Sequence, residues 1–145
     1  MPASRSSLVR RCRSRGFTLV ELIIVVLVIG IIAAVATPKM YDVAGDARLS
    51  ATRHSLGVVR DAITLYEVTN NALPGDAGTA GDFKSDVGPY LLGRFPANEL
   101  PGVGEPRKVK VEITGSPLTP SGPRGWQYDN VTGEFIINTS GYEQY

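Results

Sequence analysis

The chain is poor in the residues that carry most enzyme and metal chemistry. Of its 145 residues, one is cysteine, one histidine and one tryptophan. The single Cys12 excludes an internal disulfide, and it precedes the apolar run that a lipid-attachment cysteine would follow. His54 has no second histidine at ligand spacing, and no G-x-S-x-G, phosphate-binding glycine loop or other catalytic constellation occurs. Asp76, Asp82 and Asp86 lack the alternating spacing of a calcium loop and read as solvated loop carboxylates. The expectation is no enzyme, no cofactor and no metal. A basic surface is missing too. Residues 1–16 hold Arg5, Arg10, Arg11, Arg13 and Arg15 and no acid; without them, ten Lys/Arg face fourteen Asp/Glu, a formal −4 behind the whole-chain +1. A mildly acidic body argues against nucleic acid as a partner.

What the chain has in excess is one apolar run. Leu22 to Ala36 carries no charge, and eleven of its fifteen residues are Leu, Ile or Val. Extended to Phe17 and Thr37, it becomes 21 residues with Glu21 as the only charge. At about 1.5 Å per residue that is roughly 31 Å of helix, close to the ~30 Å hydrocarbon core of a bilayer. Eleven strong aliphatics contribute on the order of −3 to −7 kcal/mol to insertion, against about 2.5–3.5 for a carboxylate at the helix centre and less near an end. Glu21 lies near an end, so insertion wins. The five arginines before it place the N-terminus on the cytoplasmic side and the remainder outside.

Two cuts are conceivable. A secretory peptidase could use "AVATP", ending the leader at Ala36 and releasing a soluble binding domain from Thr37. Glu21 would then interrupt the apolar region to no purpose, the run would be longer than needed, and the helical pattern continues straight past the cut. The other cut falls before the run. The stretch "RGFTLVELIIVVLVIGIIAAVATPK" resembles the N-terminal signal of type IV pilins and type II secretion pseudopilins. The resemblance implies cleavage by a prepilin peptidase between Gly16 and Phe17, methylation of the new amine on Phe17, and an assembly role for Glu21. It also implies that Gly30 and Pro38 weaken the helix, which melts in part in a filament. Gly costs about 1 kcal/mol relative to Ala in a helix and Pro about 3, so the residues suit that role.

The resemblance gives Glu21 a physical task. Cleavage leaves a positive amine at Phe17, and an isolated charge of either sign in an apolar setting costs several kcal/mol. Pairing Glu21 of one copy with the Phe17 amine of a neighbour removes both costs in one register only.

Beyond the run, Leu49, Leu56, Val59, Ile63 and Tyr66 form one stripe at helical spacing. Asn70 or Asn71 can cap the helix, and Pro74-Gly75 prevents its continuation. Residues 75–107 read as a long ordered loop with one short helical turn near Tyr90–Leu92. "KVKVEI" alternates, with Val109, Val111 and Ile113 on one face. "GWQYD" and "EFIIN" flank "NVTG", a hairpin in which Gly133 supplies a positive φ. Asn130-Val131-Thr132 and Asn138-Thr139-Ser140 match glycosylation sequons, but turn and strand-end chemistry explains them better.

The expected fold is α+β: a long N-terminal helix, transmembrane then amphipathic, packed on an antiparallel sheet of about three strands. The expected parts are a cleaved leader (1–16), a transmembrane and assembly helix (17–38), an amphipathic helix (39–71) and a globular region (72–145). The helix–loop–small sheet order resembles the major pseudopilin, whose acidic calcium loop is not matched by "INTSGYEQY". The resemblance implies a structural subunit of a periplasmic pseudopilus in type II secretion. It would be held single-pass in the inner membrane before assembly. Its partners would be further copies, other pseudopilins, the prepilin peptidase and an inner-membrane assembly platform. A true type IV pilin for adhesion, motility or DNA uptake is the competing member of the class.

Overall fold

A computed structural model describes residues 16–145; the arginines of the leader and Cys12 lie outside the described residues. The elements are α1 (Leu19–Asn70), α2 (Ala80–Val87), a 3-10 turn (Gly88–Tyr90), β1 (Glu105–Glu112), β2 (Arg124–Asp129) and β3 (Phe135–Ile137). The chain divides between Met40 and Tyr41 into two compact units.

The first unit contains the start of α1. Its side chains from Phe17 to Thr37 are exposed on every face, Leu, Ile and Val alike. A helix that is apolar all round has no face reserved for its own chain. α1 continues without a break through Gly30, Pro38 and Gly45, so the weakening residues interrupt nothing in the single chain. The Thr37 hydroxyl donates to the Ala33 carbonyl at 2.7 Å, one turn back.

In the second unit the amphipathic half of α1 buries the expected stripe. Leu56, Val59 and Ile63 enter the core, Leu49 packs at its edge, and Thr52 and Ala62 fill positions between. Thr52 is polar for a reason: its hydroxyl accepts the Glu99 N–H at 3.0 Å. Asn71 ends the helix with φ 53° and returns its N–H to the Glu67 carbonyl at 2.8 Å, the left-handed cap that Asn tolerates.

Against the stripe lie Val109, Trp126, Tyr128, Phe135 and Ile137. Trp126 stacks on Phe135 at 5.3 Å between ring centroids, and Phe83 tilts against Tyr128 at 4.2 Å. Each amphipathic ring directs its polar end to a carbonyl. Trp126 Nε1 donates to Pro96 at 3.1 Å, and the Tyr128 hydroxyl donates to Pro74 at 3.0 Å. Burial raises the Tyr128 pKa, with help from nearby Asp129.

Three expectations need correction. The loop assigned to 75–107 contains a full helix, α2, whose Phe83 and Val87 are buried one turn apart. The sheet is mixed, not antiparallel throughout. β2 and β3 form the expected hairpin, with Trp126 opposite Ile137 and Tyr128 opposite Phe135. β1, however, runs parallel to β2, with Val109 beside Trp126 and Val111 beside Tyr128. The cause is the return segment 113–123, whose Pro117, Pro120 and Pro123 cannot donate to a ladder. At about 3.3 Å per residue its extended chain reaches roughly 36 Å, enough to travel back along β1 before β2 begins. Lastly, Ile113 falls beyond β1 and is exposed, not inward with Val109.

The return segment covers the second face of β2, which is why Gln127 and Asp129 are buried as well as Trp126 and Tyr128. Leu118 is buried, its N–H on Glu134, and the Ser121 N–H meets Asn138 Oδ1 at 2.6 Å. Gly125 cannot carry a side chain, because a Cβ there would strike the Pro106 carbonyl and Asn98.

Candidate functional site

The residues singled out by sequence gather at the start of α1. Gly16 and Phe17 precede the helix in an extended, exposed backbone, the geometry a peptidase needs. Thr18 is the N-cap. Its hydroxyl accepts the Glu21 N–H at 3.2 Å, while Glu21 Oε2 accepts the Thr18 N–H at 2.8 Å and the Thr18 hydroxyl at 2.9 Å. This reciprocal arrangement is a capping box, and it supplies orphan donors at the helix start with acceptors. Thr18-Leu-Val-Glu21 carries its T-x-x-E signal openly, yet the apolar run drew attention away from it.

Glu21 therefore has an intrachain task that charge counting did not reveal. Its bonds to Thr18 all run through Oε2. The carboxylate is held at the mouth of the helix, beside the bond between Gly16 and Phe17, where a cation on another chain could approach. Behind it follows the apolar rod, with an 18-residue window of mean hydropathy 3.1 and none of it buried. By length and composition this helix can cross a membrane. Gly30 sits within it with nothing inside 4 Å of where a Cβ would be.

The globular unit shows how its polar residues are used. Asp86 accepts the Gly75 N–H at 2.8 Å and Asp82 accepts the Ala77 N–H at 2.9 Å, so two of the three loop carboxylates hold backbone turns. Among the described residues no group of three His, Cys, Asp or Glu could hold a metal ion. His54 is exposed on α1. Both sequon asparagines have their amide nitrogens engaged: Asn130 with the Gly75 carbonyl at 2.9 Å, Asn138 with Ser121 and Arg124. Burial raises the Asp129 pKa, but N–H groups of Val131, Thr132 and Gly115 and the Thr114 hydroxyl outweigh it and hold the carboxyl below its usual range. Arg60, its pKa lowered by burial, donates to the Phe135 carbonyl through Nε and Nη2 and to the Tyr145 carbonyl at 2.7 Å. These groups bind the domain together. None is arranged as nucleophile and base.

Comparison with known proteins bears on the same end of the chain. Residues 11–37 match the prokaryotic N-terminal methylation motif. The chain is 34% identical over 77 residues to the fimbrial protein EcpC of Eikenella corrodens, covering 53% of this chain and 50% of that one. It is 36% identical over 62 residues to the type IV narrow pilus major component PilA5 of Thermus thermophilus, 43% of this chain and 53% of the relative. It is 29% identical over 65 residues to the type II secretion system core protein G of Pseudomonas aeruginosa, 45% of this chain and 46% of the relative. The chain thus spans about half the length of the curated relatives it matches. No solved structure matches it. The chain carries the prepilin-type motif, and its relatives are type IV pilins and a type II secretion core protein.

Proposed function

We propose that this protein is a structural subunit of a pseudopilus in a type II protein secretion system. The peptidase cut falls between Gly16 and Phe17, the new Phe17 amine is methylated, and the rod holds the subunit in the inner membrane with its globular unit in the periplasm. Copies then associate through their rods, each Glu21 receiving the Phe17 amine of a neighbour while its capping box keeps the carboxylate in place. An assembly platform draws subunits from the membrane, and Gly30 and Pro38 are where the helix gives way. The carrying observation is a helix start that fixes one carboxylate beside a rod with no buried face. The likeness to core protein G and the lack of a second cysteine for a terminal disulfide support the secretion role.

A second reading, a type IV pilin, has its own support in the fimbrial and pilus relatives. Deletion of the gene separates the two. Loss of exoprotein secretion without loss of surface fibres is the result expected; loss of long fibres or twitching with secretion intact makes the protein a pilin.

A further inference from the structure

The globular unit leaves two apolar features uncovered, and they differ in shape and charge. One is a groove of about 380 Å³ between α1 and the loop after the 3-10 turn, lined by Val58, Leu65, Tyr90 and Leu92. Leu92 is wholly exposed at its lip, at 107% of the reference area, and Leu65 is 52% exposed. His54 and Arg94 stand on its rim. The other feature is convex. The Asn130 N–H bonds the Glu112 carbonyl, which sets Ile113 beside Val131 at the tip of the sheet, where they are 66% and 60% exposed. Asp76 and Glu134 border it: Asp76 follows Gly75, whose carbonyl receives Asn130, and Glu134 lies just beyond the turn.

The two features lie on opposite flanks of α1. The groove uses helix positions 54, 58, 61, 62 and 65, whereas the hairpin turn closes over positions 60, 63, 64 and 67. At 3.6 residues per turn the centres of these sets are roughly 150° apart. A cationic hollow on one flank and an anionic apolar knob on the other are complementary to each other. They cannot meet within one domain.

We infer that the groove at Leu92 receives the Ile113–Val131 knob of a second copy, each subunit using its groove toward one neighbour and its knob toward the next. Such a contact is heterologous, so it generates an open row instead of closing into a dimer. It is small beside a standard interface; association of the rods supplies the high effective concentration that lets it act. The inference rests on the filament reading, and it adds which surfaces of the globular units touch.

The test is disulfide cross-linking of the full chain in cells that assemble it, with Cys12→Ser as background. L92C and V131C in one chain should give a ladder of multimers on oxidation. Mixed single variants should give dimers only, and either alone should give no disulfide. Filaments that form without a 92–131 link, or with links between two L92C copies, overturn the inference and leave the filament reading standing. Absence of filaments from the unmodified chain overturns both. As a second measurement, Leu92→Glu should leave circular dichroism and membrane insertion unchanged, because the side chain touches little in its own domain. It should weaken the contact about ten- to a hundredfold, the association strength of one buried leucine. Filament yield equal to wild type would overturn the groove's role.

Discussion

Replacing Asp129 tests how the globular unit is held together. The residue has no exposed surface, and its carboxylate serves two segments at once. Oδ1 accepts the N–H groups of Val131 at 2.7 Å and Thr132 at 3.2 Å, fixing the hairpin turn; Oδ2 accepts the Gly115 N–H at 2.9 Å and the Thr114 hydroxyl at 3.3 Å, fixing the return segment. Hydrogen bonds to a charged group contribute about 1.5–3 kcal/mol each, less once water reaches the freed donors. Asp129→Ala should therefore cost about 3–5 kcal/mol in total and lower Tm by roughly 12–25 °C for a domain of this size. Asp129→Asn keeps an oxygen for the turn but sets an amide donor against the Gly115 N–H, for a loss of about 2 kcal/mol. The acid response should differ as well. The folded pKa lies below the ordinary Asp value, so the contribution is present above about pH 4 and is lost as pH falls through the folded pKa. Thermal unfolding of the full chain in detergent, followed by circular dichroism between pH 7 and pH 2, measures both effects. A loss below 1 kcal/mol for Asp129→Ala, or equal acid slopes for wild type and Asp129→Asn, would refute the reasoning.

Gly125→Ala should destabilise the same unit by about 1–3 kcal/mol, since the new methyl meets the Pro106 carbonyl, which is backbone and cannot turn aside; chemical denaturation measures this. Trp126→Ala removes the largest fully buried side chain and should cost about 3–5 kcal/mol in the same experiment. Glu21→Ala should still insert and be cleaved yet give no filaments, whereas Thr18→Ala, losing only the cap at about 1 kcal/mol, should reduce assembly without abolishing it. Microscopy beside immunoblots of the processed chain separates the outcomes, and normal filaments from Glu21→Ala would remove the pairing account.

Much of this architecture is legible in the sequence where periodicity is strong. The α1 stripe from Leu49 to Tyr66 and the hairpin around Gly133 follow from spacing and turn chemistry alone, and both occur where expected. What escapes is short or non-local. α2 has eight residues with glycine at its second position and just past its end, and only its Thr79 cap on the Asp82 N–H marks it. Parallel pairing of β1 and β2 depends on where a proline-rich segment returns, and no alternation within either strand encodes that. Ile113 continues the β1 pattern but lies one residue past the ladder, so it faces solvent and becomes available to a partner. At the functional end, the charge on Glu21 was visible while its bonds to Thr18 were not, because an unusual acid in an apolar run invites a long-range explanation before a local one.

Mass spectrometry of the amino-terminal peptide from the mature protein in its native membrane is the most direct measurement. The account predicts a chain that starts at Phe17, carries one added methyl on its amine and still contains the apolar rod. A chain that starts at Thr37, or one that keeps its arginines while fully active, would contradict it.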